Sequence, residues 1–196
     1  MAHDSESLRV YWSEVANPET LIEGASRKPA ELKHQHVLRE MAVRATAIAF
    51  PFPAVVAGFE AVDSVVSPRQ DYYVEALKRL SGTIQYELTA TWAEADQTDL
   101  ATPISGKEYL KRRAEAEARV VAIDSKLKTV TGGIVREWRI RQDRRRYLWF
   151  ALVAREDRER FIAALRSAGA SEGVRLRLTG PWPPGEFVSE QQSTKK

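Results

Sequence analysis

Six arginines fall between residues 136 and 146 of this chain: Arg136, Arg139, Arg141, Arg144, Arg145 and Arg146, offset only by Glu137 and Asp143. Trp138, Tyr147 and Trp149 are interleaved with them. Guanidinium groups beside aromatic rings can do three kinds of work. They can hold phosphates while the rings stack on unpaired bases. They can dock an acidic patch of another protein. They can also keep an edge strand soluble and unpaired. No Lys-Gly-Phe-Gly-Phe-like run accompanies them, which counts against RNA. The second group is Trp182 and Phe187, carried by Arg175-Leu-Arg-Leu-Thr-Gly-Pro-Trp-Pro-Pro-Gly-Glu-Phe-Val188. Proline fixes φ and removes a backbone donor, so a rigid extended segment is expected to leave its strand at Gly180. Trp182 then either closes the domain as core or serves as an interface anchor, a role tryptophan and arginine often fill.

Catalytic chemistry finds little to work with. His34 and His36 stand two apart on an expected helix and do not share a face. His34 falls on the apolar stripe and reads as a half-buried histidine, not a ligand. His3 is the one further histidine, and there is no cysteine, so neither a metal site nor a disulfide framework is expected. No Gly-x-Ser-x-Gly, P-loop or Gly-x-Gly-x-x-Gly is present. The carboxylates lie on amphipathic helices and read as solvated faces. The expectation is a protein that is not an enzyme, with no cofactor.

Composition sets the frame for these groups. The chain has 196 residues, 43% hydrophobic and 29% charged, with a formal net charge of +3. That suits one globular domain or two small ones in contact. The charge is too small to imply nucleic acid by itself. No stretch approaches the ~20 apolar residues of a membrane helix, and Met1–Ser7 lacks the apolar run of a secretion signal. The expected location is cytoplasmic, without membrane partners.

The elements that must position these residues follow from periodicity. Leu8–Val15 reads as a strand. Pro29 opens a helix whose stripe is His34, Val37, Leu38, Met41, Ala42 and Ala45. Ala47–Phe52 reads as a short buried strand, 55–66 stays ambiguous, and Asp71–Leu80 reads as a helix with Tyr73, Leu77 and Leu80 inward, stopped by Gly82. In the next strand Ile84, Tyr86, Leu88, Ala90 and Trp92 alternate with a polar face. A loop spans 96–103. Ser105-Gly-Lys-Glu108 is a capping box for a helix to about Lys128, with Leu110, Ala114, Val121 and Leu127 on its apolar side. Ile134, Trp138 and Ile140 share one strand face, interrupted at Arg136. Gln142-Asp143-Arg144 is a hairpin, and Tyr147–Ala154, apolar on both faces, is a central strand. Arg155–Ala168 is a helix with Phe161, Ile162 and Leu165 inward, and Val174–Thr179 is the last strand.

The order from residue 83 is β-α-β-β-α-β, and residues 8–80 give β-α-β-α. The expected class is α+β: a ferredoxin-like (βαββαβ) C-terminal domain over 82–188 with its Pro/Trp tail, preceded by a smaller α+β domain over 8–81. Residues 1–7 and 189–196 are polar and read as disordered tails.

Leu178-Thr-Gly-Pro-Trp-Pro-Pro184 followed by Phe187-Val188 resembles the C-terminal signature of the GvpL/GvpF family of gas vesicle proteins. Leu32-Lys-His-Gln-His-Val-Leu38, Thr46-Ala-Ile-Ala-Phe-Pro-Phe52, Leu80-Ser-Gly-Thr-Ile-Gln-Tyr-Glu-Leu88 and Gly106-Lys-Glu-Tyr-Leu-Lys-Arg-Arg113 resemble family segments in the same order. Phe50-Pro-Phe-Pro53 departs from the family's Leu-Arg-Phe-Gly run, and Gly185-Glu186 stands where Tyr-Ser is common. The first domain looks truncated beside the family pattern, because the segment Leu8–Glu14 resembles a second strand there. The resemblance implies a ferredoxin-like first domain. It also implies a non-enzymatic accessory or minor component that binds the hydrophobic shell protein and other gas vesicle proteins during vesicle formation. The partner-binding residues expected here are Arg136, Arg139, Arg141, Arg144, Arg145, Arg146, Trp182 and Phe187. The alternative is a nucleic-acid-binding module that uses the hairpin 136–146.

Overall fold

A computed structural model describes residues 2–4, 8–22, 24, 26–92, 105–143, 146–167 and 174–189. The chain forms two compact units, Met1–Ile84 with Pro181–Lys196, and Gln85–Gly180.

In the first unit, β1 (Ala2–Asp4) and β2 (Arg9–Tyr11) pair antiparallel, with His3 opposite Val10. Composition alone marks this start as a polar tail. Helices α1 (Glu19–Ile22), α2 (Arg27–Arg44), α3 (Phe59–Val66) and α4 (Gln70–Arg79) follow, with a 3-10 turn at Ser67–Arg69 before α4. Pro29 stands in the first turn of α2, where a missing N–H leaves no intrahelical bond unmade. Past α4, Leu80 turns fully inward and Gly82 takes φ 69°, a conformation glycine adopts without a Cβ clash. The Gly82 N–H donates to Thr46 Oγ1 at 3.1 Å.

Ala47–Phe52 is not the strand its apolar run suggests; residues 46–51 form no regular element. A strand needs a neighbour for its N–H and C=O groups, and Pro51 and Pro53 bring no donor. The run is held by side chains instead. Phe50 meets Tyr73 edge to face (6.1 Å between centroids), and Phe52 meets the His34 ring at 5.3 Å. Among its described residues the first unit therefore has one antiparallel strand pair with helices, not β-α-β-α.

The second unit is built on β3 (Thr83–Trp92), α5 (Gly106–Val130), β4 (Val135–Asp143), β5 (Arg146–Ala154), α6 (Arg158–Ser167) and β6 (Val174–Trp182). The four strands form one antiparallel sheet in the order β4-β5-β3-β6. The β4–β5 hairpin is present, with Asp143 opposite Arg146. Central β5 is buried from Trp149 to Ala154, as a strand apolar on both faces requires. Phe161 of α6 has no exposed surface and packs on Tyr86 of β3 (5.0 Å) and Trp138 of β4 (6.4 Å).

Four expectations change. β6 runs through Gly180 and Pro181 to Trp182 instead of ending at Thr179. It lies at the sheet edge, where a strand tolerates the missing proline N–H. The polar face of β3 is not open at its start: Gln85 is buried. On α5, Leu110 and Val121 are 64% and 67% exposed, while Val120 and Leu127 are buried. Neighbouring helix residues lie about 100° apart, so burying Val120 turns Val121 outward. Ile140 is exposed, because it sits on edge strand β4.

The expected capping box starts α5: Ser105 Oγ accepts the Glu108 N–H at 3.2 Å. Ser105→Ala should lower stability by about 1 kcal/mol in chemical denaturation, whereas Ser105→Gly should cost only a few tenths.

Candidate functional site

The arginine hairpin is ordered by a bulge. Val135 pairs with Val153 and Glu137 with Leu152, which leaves Arg136 as the extra residue on β4. This is why Arg136 breaks the alternation of its strand. Beyond the bulge, period two sends Trp138 toward Phe161, and Arg139 and Arg141 to the opposite face. Arg139 is only 7% exposed, and its Nε donates to Glu137 Oε1 at 2.8 Å. The Arg141 guanidinium lies 5.3 Å from the Phe150 ring centroid, a cation–π distance. Arg136 and Arg141 are exposed. Arg144 and Arg145 lie outside the described residues, and of Arg146 only its place in β5 is described. Trp149 is fully buried. Among the described residues, Arg139 and Arg141 therefore lie on the face opposite Trp138 and Trp149.

The proline segment belongs to the first unit. Phe187 and Pro184 are fully buried and Pro183 is buried; Trp182 is half-buried. The Arg39 guanidinium of α2 lies 4.4 Å from the Trp182 ring centroid. Arg79, at the end of α4, donates from Nη2 to the carbonyls of Phe187 (2.6 Å) and Val188 (3.0 Å). These bonds fix the segment after its last proline. Phe187 thus acts as an anchor inside the fold and offers no surface of its own.

A surface that periodicity did not single out lies in the same unit. A groove of about 580 Å³ is lined by Phe50, Pro51, Val65, Pro68, Tyr73 and Val188, among others, with Arg69 as the one charged lining residue among those described. No residue of α3 is buried, and Phe59 and Val65 are among its exposed side chains. Val55 and Val56, just before that helix, are exposed as well. Apolar side chains exposed around a groove are a common feature of binding sites. The signal was present as an apolar run punctuated by Pro51, Pro53 and Pro68, but it reads equally well as a buried strand.

Among the described residues no cluster of histidines and carboxylates could hold a metal, and no helix is long and apolar enough to cross a membrane. His36 is exposed and His34 half-buried. Burial holds the His34 pKa below its ordinary 6.5. The folded state therefore disfavours the charged ring. The stability this gives is complete above pH 6.5 and is lost as pH falls through 6.5 toward the folded value. His34→Gln should show a smaller drop in denaturation midpoint than the native chain between pH 7.5 and 5.5.

Residues 2–189 match the family model of the gas vesicle synthesis protein GvpL/GvpF. The chain belongs to the GvpL/GvpF family. Its fold is similar to the crystal structure of the gas vesicle protein GvpF from Anabaena sp. PCC7120, with a TM-score of 0.62 at 16% identity, covering 97% of this chain and 85% of that one. It is also similar to GvpF from Microcystis aeruginosa, with a TM-score of 0.53 at 14% identity, covering 90% of this chain and 81% of that one. At these identities the two likenesses carry the fold alone. No curated protein matches the sequence. A role in gas vesicle formation is what membership of GvpL/GvpF makes plausible.

Proposed function

We propose that this GvpL/GvpF protein is a non-enzymatic accessory or minor component of gas vesicle assembly, located in the cytoplasm at the vesicle, that binds the hydrophobic shell protein and other gas vesicle proteins. Family membership over residues 2–189 carries this reading. The exposed apolar surface of the first unit supports it. A shell subunit that polymerises through apolar surface aggregates unless a soluble partner covers that surface first. The arginine hairpin is the second docking surface in this proposal, through exposed Arg136 and Arg141 with Arg144, Arg145 and Arg146, toward acidic patches. Arg139 and Phe187 support these surfaces from inside, and Trp182, stacked under Arg39, is the half-exposed member. We also read the β-α-β-β-α-β order from β3 to β6 as ferredoxin-like, with residues 8–81 and 82–188 as the two domains along the chain, the proline segment of the second clustering with the first unit.

Nucleic acid is the alternative the hairpin raises, and the geometry argues against it. Base stacking needs open aromatic faces beside the cations. Here Trp149 is fully buried and Trp138 packs on Phe161.

Co-expression tests the reading. With this protein present, the shell protein should stay in the supernatant after centrifugation and elute with it. An equal amount of aggregated shell protein with and without it would refute the role.

A further inference from the structure

We propose that the groove of the first unit is the docking site for a short apolar segment of a partner protein that carries one carboxylate, which pairs with Arg69. This deepens the assembly role above and rests on it.

Three observations lead to this site. The first is its lining: Phe50, Pro51, Val65, Pro68, Tyr73 and Val188 give an apolar floor and walls, and the volume of about 580 Å³ lies within the range of ligand-binding clefts, roughly 300–1,000 Å³. Phe50 and Val65 are exposed, so the surface is open to a partner.

The second is charge. Among the described residues Arg69 is the one ionisable cation in that lining, it is exposed, and no carboxylate pairs with it. A guanidinium at the edge of an apolar cleft favours an occupant with a carboxylate at the matching point. Its planar fork can hold both carboxylate oxygens. A cationic or wholly apolar occupant would leave that fork unmatched.

The third is preorganisation. Gly185 and Val188 are among the lining residues, and this segment is fixed from within: Phe187 is fully buried, and Arg79 ties down the carbonyls of Phe187 and Val188. Another lining residue, Phe50, is braced by Tyr73. A wall already held in place does not have to be ordered on binding, which lowers the entropic cost of association. The proline-tryptophan signature then has a physical task. It anchors the segment that ends as a wall of the groove.

The occupant is read as a protein segment and not as a free fatty acid, which shares the pairing of an apolar chain with a carboxylate. The first unit also exposes Val55, Val56 and Phe59. None of the three is a lining residue, so an acyl chain confined to the groove would leave them uncovered, whereas a partner protein docked there could extend over them.

The test uses the full chain, tagged, with the whole gas vesicle shell protein as the probe. Retention is compared among the native chain, Arg69→Glu and Val65→Asp, with thermal melts to show that each variant is folded. Both positions are exposed, so folding should be unaffected. The expected result is at least a tenfold loss of retention for either variant. One shell protein variant with a single carboxylate replaced by lysine should regain binding to Arg69→Glu. Equal retention by all three chains would overturn the groove while leaving the assembly role intact. Loss with Arg69→Glu that no lysine replacement restores would overturn the carboxylate pairing. Displacement of the shell protein by dodecanoate, with no carboxylate of the shell protein mattering, would assign the groove to a fatty acid and overturn the protein segment. No retention by the native chain would instead refute the assembly role itself.

Discussion

Phe187→Ala should lower the stability of the first unit by about 3–5 kcal/mol, a large share of the roughly 5–15 kcal/mol that holds a typical domain together. The side chain has no exposed surface, and its truncation leaves a cavity where the proline-tryptophan segment is anchored. The loss has a second consequence. Arg79 binds the Phe187 and Val188 carbonyls only while the segment stays in place, so a loosened anchor also removes those bonds. Denaturant midpoints measure the first effect. Faster proteolysis after residue 182 should report the second. Val188→Ala, at a half-buried position, is the comparison and should cost far less. A small loss for Phe187→Ala would mean that the segment is held by its prolines and by Arg79 alone.

Phe161→Ala is the corresponding change in the second unit and should also cost about 3–5 kcal/mol. Phe161 joins α6 to two strands at once, through Tyr86 at 5.0 Å and Trp138 at 6.4 Å. Such aromatic pairs add about 0.5–1.5 kcal/mol beyond the area they bury. The variant should therefore lose near-ultraviolet circular dichroism from Tyr86 and Trp138 as well as stability. Phe161→Leu retains most of the volume and should lose less stability, but the same aromatic signal. Burial also raises the Tyr86 pKa above its ordinary 10, and that shift should shrink when Phe161 no longer covers the ring.

How much of this was legible in the residues depends on the kind of signal. Strict alternation placed Tyr86 and Leu88 inward and made Tyr147–Ala154 central, because the period of a strand leaves little choice of face. Capping chemistry located the start of α5 at Ser105 for the same reason: one side chain and one N–H settle it. The apolar side of α5 was harder. Val120 and Val121 are adjacent and equally apolar, and only packing decides which turns inward. The run at 47–52 misled because a buried strand and an unpaired apolar segment share a composition, and the pairing that separates them is a long-range fact. The arginines between 136 and 146 were conspicuous as a set; period two alone puts Arg139 and Arg141 opposite Trp138, while alternation registers the bulge at Arg136 only as a fault. Arg69 and Arg79 carried no local signal. One draws its interest from an apolar groove, the other from carbonyls more than a hundred residues away. The Pro/Trp segment was expected to leave its strand at Gly180, but the strand continues to Trp182, because an edge strand can carry Pro181.

The central claim is that this GvpL/GvpF protein binds the hydrophobic shell protein. The most direct measurement is a pull-down with the tagged full chain against the gas vesicle shell and accessory proteins at low and high salt. Selective retention of the shell protein that persists in high salt is the expected result, because apolar contact is not screened by ions whereas exposed charge pairs are. Retention that vanishes in high salt would shift the contact from apolar surface to charge pairs, at the arginine hairpin or at Arg69. Retention of nucleic acid in place of protein, or of no gas vesicle protein at either salt, would contradict the claim.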